Sequence, residues 1–250
     1  MPLMTWPDLM SRPRPHASER IGYGTDPNQF ADLWRPDGAG PHPLVVMIHG
    51  GCWQAKVANL GIMDWAADDL RQRGYTVWNV EYRRIDQPGG GYPGTYDDIR
   101  SALWLAGERL GGAHVPVVIL GHSAGGHLAL WAAHQKGLNA TGVVALGAIT
   151  DLIGDTETAC GTEPLQKMLG PPAETSPYQM GSLDLPTVLI TGAEDTTVPA
   201  SIAHRYAAMA RAAGDRVEVL TPPGGHVEEI APGTEAWRVV VEAIERLARP

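Results

Sequence analysis

Cysteine is scarce in this sequence: there are two in 250 residues, Cys52 and Cys160, and no C-x-x-C pair. Two are too few for a disulfide framework. With no H-E-x-x-H and no paired Cys/His spacing, no metal-site pattern stands either. The thiols are expected to be free, in a reducing compartment. Basic charge is also short. Lys and Arg number 19 against 28 Asp and Glu, the formal charge is −9, and no basic cluster exceeds a pair such as Arg83–Arg84. A nucleic acid calls for a basic stripe and an anionic membrane for a basic face, so both partners are disfavoured. Long apolar runs are missing. Nothing approaches the roughly 20 apolar residues of a membrane span. Residues 1–16 hold no apolar run of signal-peptide length. The expectation is a cytoplasmic chain.

What is present fits one α/β domain spanning 1–250, with an ordinary hydrophobic fraction of 44%. Residues 1–27, rich in Pro, Gly and polar types, read as an N-terminal arm that packs on the core without building it. Short continuous apolar runs then recur: Leu44–Ile48, Val77–Val80, Val115–Leu120, Gly142–Leu146, Thr187–Ile190 and Val217–Leu220. Such runs are the pattern of strands buried on both faces. Helical periodicity separates them over Ile62–Arg73, Tyr96–Leu110, Ala124–Lys136 and Ser201–Ala213, and a last helix is expected over Thr234–Leu247. The first four stop at Gly74, Gly111, Gly137 and Gly214, each read as a left-handed helix end. Alternation of this kind predicts a mostly parallel central sheet with helices on both faces. Residues 148–185 break the rhythm with Pro164, Pro171, Pro172 and Pro177, and read as a short lid or pocket-wall excursion.

The strongest chemical signal is Gly121-His122-Ser123-Ala124-Gly125, between a predicted strand and a predicted helix. That is the context of a G-x-S-x-G nucleophile elbow, which lifts a serine hydroxyl over the carboxyl end of the sheet and above a helix N-terminus. The plain alternative is a glycine-rich turn with a capping serine. His49-Gly50-Gly51-Cys52-Trp53 follows the first buried run. Its backbone N–H groups, at Gly51 or Cys52, would complete an oxyanion hole with that of Ala124. Asp195 follows the fifth run and His226 the sixth, so the order serine, acid, histidine holds: Ser123 as nucleophile, Asp195 orienting His226, and His226 as base. Glu194 is the rival acid. Among the other histidines, His122 is expected to pack under the elbow and His49 to fix its loop. His127, His134 and His204 fall in helices, and His16, His42 and His114 in loops. Gly89-Gly90-Gly91-Tyr92-Pro93-Gly94 satisfies G-x-G-x-x-G as a string, but it neither follows a strand at once nor opens a helix immediately. It reads as a flexible loop beside the active site, not a dinucleotide site.

With these residues in place, the chain resembles the α/β-hydrolases around kynurenine formamidase and the feruloyl and acetyl esterases grouped with it. The resemblance rests on His49-Gly50-Gly51-x-Trp53, Glu81-Tyr82-Arg83, Tyr92-Pro93 ahead of Asp98, Gly121 to His127, Ser176-Pro177, and the Asp195 and His226 motifs. It implies an α/β-hydrolase fold, a serine hydrolase without a cofactor, and an oxyanion hole at Gly51 and Cys52. The implied partner is a small-molecule ester or amide, with short or aromatic esters first and N-formylkynurenine as the alternative. A non-catalytic ligand-binding member of the fold is a third reading. Trp53, Tyr82, Tyr92, Tyr96 and Tyr178 are candidates to line the pocket, or else core and surface aromatics. Asp98 reads as a structural partner of Arg83. The oligomeric state is open, a homodimer included.

Overall fold

Successive side chains of a strand point to opposite faces, so a strand covered on both sides feeds two cores. The central strand β3 (Leu44–Ile48) does this: Leu44, Val46 and Ile48 enter one core, Val45 and Met47 the other. Each such side chain contributes roughly 1.5–3 kcal/mol by leaving water. The computed structural model describes residues 2–111, 115–135, 139–171 and 173–249. Its sheet has eight strands: β1 (Glu19–Gly22), β2 (Phe30–Trp34), β3, β4 (Thr76–Val80), β5 (Val117–His122), β6 (Gly142–Leu146), β7 (Thr187–Ile190) and β8 (Val217–Leu220). The order is β1-β2-β4-β3-β5-β6-β7-β8, parallel from β4 onward, with β1 and β2 antiparallel at one edge.

The helices divide between the two cores. One core takes Ile99 and Leu103 of α3 (Gly94–Leu110), Leu128 of α4 (Ala124–Ala133) and Tyr206 of α7 (Ala200–Ala212). The other takes Leu70 of α2 (Asp64–Gln72) and Trp237, Val240 and Ile244 of α8 (Glu235–Leu247). The second core also takes Leu9 of a short helix, Trp6–Met10, here called α1. Thr234 caps α8, accepting the N–H of Trp237 at 3.1 Å.

Two expectations need correction. Residues 1–27 do contribute to the sheet, through β1. Its pattern hides it: only Ile21 is buried, and β2 carries a charge midway, Asp32, paired across the register with Arg20 at 2.7 Å. Gly74 and Gly214 end α2 and α7 with positive φ, but Gly111 does not, having φ −72°. A glycine is needed there for closeness instead: a Cβ would lie 2.5 Å from the Gly107 carbonyl oxygen. Gly137 and Lys136, expected at the end of α4, and His114 and Pro172 lie outside the described residues.

Residues 148–185 hold two short helices, α5 (Thr162–Met168) and α6 (Pro177–Met180). Asp155 there is fully buried and accepts the N–H groups of Thr150 and Asp151 at 2.7 and 2.9 Å, with Arg205 as its ionic partner. The Gly89–Gly94 string is closely packed. A Cβ on Gly90 would lie 1.8 Å from the Arg84 carbonyl oxygen, and Gly94 opens α3 directly, contrary to the sequence expectation. Arg83 and Asp98 pair at 2.6 Å, as expected of them.

Candidate active site

Ser123 stands between β5 and α4 with φ 57° and ψ −121°, a conformation that costs energy for any residue but glycine. Its N–H bonds the Leu146 carbonyl at 2.7 Å, which ties the turn to β6. The glycines two residues to either side are steric necessities. A Cβ on Gly121 would lie 2.1 Å from the Gly125 carbonyl oxygen, and one on Gly125 2.1 Å from that of Ile48.

Asp195 and His226 follow β7 and β8. The Nδ1–H of His226 donates to Oδ2 of Asp195 at 2.7 Å, and Oδ1 accepts the N–H groups of Thr197 and Val198 at 2.7 and 3.0 Å. Burial works to raise the Asp195 pKa. The hydrogen bond and charge of His226, with the two backbone N–H groups, outweigh it and hold the carboxylate below its ordinary range. Glu194 instead turns outward and accepts the N–H of Gly224 at 2.7 Å. His122 is buried, and its Nε2–H donates to the His226 carbonyl at 3.0 Å. Burial, then the nearby His226, push its pKa well below the ordinary histidine value, so it stays neutral.

The loop after β3 packs on the elbow: a Cβ on Gly50 would lie 2.9 Å from both the His122 carbonyl oxygen and the Ser123 Cβ. Gly51, Cys52 and Trp53 all have positive φ, at 104°, 51° and 53°. His49 fixes the loop from below. Its Nε2 lies 3.0 Å from Oε1 of Glu81, its ring stacks on Tyr82 at 4.4 Å, and the Tyr82 hydroxyl donates to the His49 carbonyl at 2.8 Å. Cys52 is joined to Cys160 in a disulfide across 108 residues of sequence. The expectation of two free thiols is therefore wrong, and the support they lent to a reducing, cytoplasmic compartment goes with it. Spacing in one sequence could not show that the crossover after β6 returns to the loop after β3.

Ser123, His226, His122, Gly51 and Cys52 share one cavity of ≈ 590 Å³. Its outer walls are not those expected. They come from Trp6, Met10 and Arg14 of the N-terminal arm and from Val57, Ile62 and Trp65 around the start of α2. Trp53, Tyr82 and Tyr96 are buried in the core, at 0%, 0% and 2% exposure. Tyr92 is exposed and hydrogen-bonds Glu174, and Tyr178 is half-buried against the core on the Thr150 side. None of these five lines the cavity, and neither does any described residue of 148–185 or of the Gly89–Gly94 string. The arm escaped notice because its contribution is tertiary: the Trp65 indole N–H donates to the Pro13 carbonyl at 3.0 Å, and Arg12 to that of Pro232 at 2.8 Å.

Among the described residues, His122, His226 and Glu229 form the one cluster of three potential metal donors, their ligand atoms within 4.8 Å of one another. Their chemistry fits hydrogen bonding better than a cation, because the His226 Nδ1–H is given to Asp195 and the His122 Nε2–H to a carbonyl. Glu229 escaped the sequence reading. Its only signal is a carboxylate three residues after His226.

Comparison with known proteins agrees with this architecture. The chain is 30% identical over 115 residues to Esterase LipC of Mycobacterium tuberculosis, a match covering 44% of this chain and 28% of that protein. It is 32% identical over 113 residues to the gibberellin receptor GID1C of Arabidopsis thaliana, covering 42% of this chain and 31% of the receptor. Each match thus spans about a third or less of the relative. Among solved structures, a truncated carbohydrate esterase from gut microbiota superposes with a TM-score of 0.77 at 17% identity, over 93% of this chain and 97% of that one. With the BD-FAE model matching residues 31–208 of a sheet built in this way, the chain is an α/β-hydrolase and belongs to the BD-FAE family.

Proposed function

We propose that the protein is a serine esterase that cleaves small carboxylic esters through an acyl-enzyme. The observation that carries this reading is the 2.7 Å bond from His226 Nδ1 to an ionised Asp195, with His226 and Ser123 opening into one cavity. With Nδ1 donating, Nε2 of a neutral His226 carries the lone pair that takes the Ser123 proton as Oγ attacks the ester carbonyl. The tetrahedral oxyanion lies against the N–H groups of Gly51 or Cys52 and of Ala124. The imidazolium then protonates the departing alcohol, and water repeats the sequence on the acyl-serine. The similarity to Esterase LipC supports the ester as substrate. Trp6 and Trp65 on the cavity wall support short aliphatic or aromatic groups.

The test is hydrolysis of p-nitrophenyl acetate beside N-formylkynurenine, with a fluorophosphonate probe mapped by peptide mass spectrometry. Ester turnover with the probe on Ser123 is expected. Ser123→Ala should lose on the order of 10⁴-fold or more in rate. Probe attachment elsewhere with loss of activity overturns the nucleophile. Faster cleavage of the formamide overturns the ester preference. Tight ligand binding without turnover would favour a receptor-like role, the function for which GID1C is named.

A further inference from the structure

Behind the acid and the base lies a second carboxyl group that the mechanism above does not use. Glu229 is fully buried. Its Oε1 accepts the N–H of Gly192 at 2.8 Å. Its Oε2 is buried and receives no N–H or hydroxyl hydrogen bond, and it lies 4.0 Å from Nδ1 of His226 and 3.6 Å from Nε2 of His122. Oε2 of Glu229 and Oδ2 of Asp195 converge on the same atom, His226 Nδ1, at 4.0 and 2.7 Å. Two buried carboxyl groups crowded on one imidazole nitrogen disfavour a second anion, so one of them keeps its proton and can donate it to the other.

We propose that Glu229 is a positioning residue: it stands as a neutral carboxylic acid behind Asp195, donates its proton in a hydrogen bond to that carboxylate, and so steadies the acid that orients His226. The inference rests on the reading of Asp195 and His226 given above. The proton belongs on Glu229 because the two environments differ. Asp195 receives three N–H donors, from His226, Thr197 and Val198, which favour its anion. Glu229 receives one, from Gly192, in full burial. Burial first, and Asp195 second, push its pKa well above the ordinary carboxylate range. The groups facing it are Asp195 after β7, His122 at the end of β5, and His226 and Glu228 after β8; Glu228 itself turns to the N–H of Gly225 at 3.1 Å. Among the described residues no lysine or arginine pairs with Glu229.

Neutrality has a consequence for the base. An ionised carboxylate this near His226 would hold the imidazolium too firmly, whereas a neutral donor takes charge off Asp195 and leaves the imidazole free to pick up and release a proton. Glutamine mimics a protonated glutamate: its amide NH₂ donates and its carbonyl accepts. Glu229→Gln should therefore keep kcat/KM within about threefold and leave the acid limb of its pH profile in place. Glu229→Met fills the space without donating. It leaves Asp195 a stronger partner for the imidazolium, so the limb should move to higher pH by roughly half a unit.

The same shift should be seen in an NMR titration of the His226 imidazole, which needs no turnover. A failure of the esterase reading and a failure of this inference are thus separable. Stability adds a signature that a merely space-filling role would not give. A carboxyl group with a raised folded pKa stabilises fully below its unfolded value and loses that contribution as pH rises toward the folded one. The melting temperature of Glu229→Gln should accordingly gain on wild type between pH 4 and pH 8, the pH window opening near the ordinary glutamate value of about 4.3. A hundredfold loss in Glu229→Gln overturns the proposal, because it means the charge was needed. An unmoved His226 titration in Glu229→Met overturns it as well. If the Met variant does not fold, the Gln variant decides alone.

Discussion

A Cβ on Gly125 would come within 2.1 Å of the carbonyl oxygen of Ile48 and 2.5 Å of that of His49. Helix α4, which carries the elbow, and the loop that would hold the oxyanion are therefore in backbone contact, and one glycine sets their separation. Gly125→Ala must drive them apart by a few tenths of an ångström to an ångström. Misplacement on that scale costs on the order of 10²-fold in rate. We expect such a loss in kcat/KM with the far-ultraviolet circular dichroism unchanged. An alanine variant of near wild-type activity would show that the spacing is not set here.

Asp195→Asn should leave the fold intact and cost roughly 10³- to 10⁴-fold in rate, because an amide lets His226 settle in the wrong tautomer. Glu194→Gln should be mild, since that side chain holds only the N–H of Gly224 at the surface. Steady-state kinetics of the two variants side by side separate the neighbours, and the reverse ranking would refute the choice of Asp195.

The Cys52–Cys160 bond closes a loop of 108 residues and anchors the segment proposed to bind the oxyanion. Replacing both cysteines by serine should cost about 2–4 kcal/mol of stability, because the unfolded chain regains the freedom the bond removed. Urea unfolding measures this. Thiol titration of the denatured, unreduced wild type should find no free thiol, and two would refute the pairing.

Acidity should act on rate and stability separately. Rate should rise with pH and level off as His226 becomes neutral, since Asp195 is held below the usual carboxylate range and stays ionised throughout. Stability should fall over part of the same range because of Asp64. Burial pushes its pKa up to about 6, against the hydrogen bond and charge of Arg14. A raised folded pKa gives a contribution complete below the unfolded value near 3.9 and lost as pH rises to the folded one. Wild type should thus lose on the order of 2 kcal/mol between about pH 4 and pH 6, and Asp64→Asn should flatten that part of the curve. An unchanged slope in the variant would refute the assignment to Asp64.

The parts of the fold legible in the sequence are those in which local pattern and tertiary role coincide. The continuous run Leu44–Ile48 means a strand covered on both faces wherever it stands, and Gly121-His122-Ser123-Ala124-Gly125 carries its own steric requirement. β1 was not legible because an edge strand needs no apolar run, and β2, paired on both sides, because Asp32 interrupts its apolar residues and finds its partner, Arg20, on β1. The disulfide and the cavity wall were not legible for a different reason. Cys160 meets Cys52, and Trp6 meets His122 edge-on at 6.2 Å, through contacts between segments with no shared periodicity. Aromatic residues close in sequence to the motifs, such as Trp53 and Tyr82, went to the core instead. They fill the space beneath the loops that the motifs form.

Chain length should matter to the substrate because of what bounds the cavity. Trp6, Met10, Ile62 and Trp65 offer apolar contact near Ser123. The same wall carries Arg14, whose Nε donates to Oδ2 of Asp64 at 2.7 Å and whose side chain is 55% exposed. A long acyl chain laid against Arg14 would strip water from a charged pair without offering a hydrogen bond in return. The acidic residues of 148–185 take no part in this, since none of them lines the cavity. p-Nitrophenyl acetate and butyrate should therefore exceed the palmitate ester by at least about tenfold in kcat/KM, roughly 1.4 kcal/mol in the barrier. Arg14→Leu, which replaces the charged head by a branched apolar one, should narrow that ratio by improving the longer ester. Faster turnover of palmitate by the unaltered enzyme would overturn the short-chain preference, and an unchanged ratio in Arg14→Leu would show that the limit lies elsewhere on the wall.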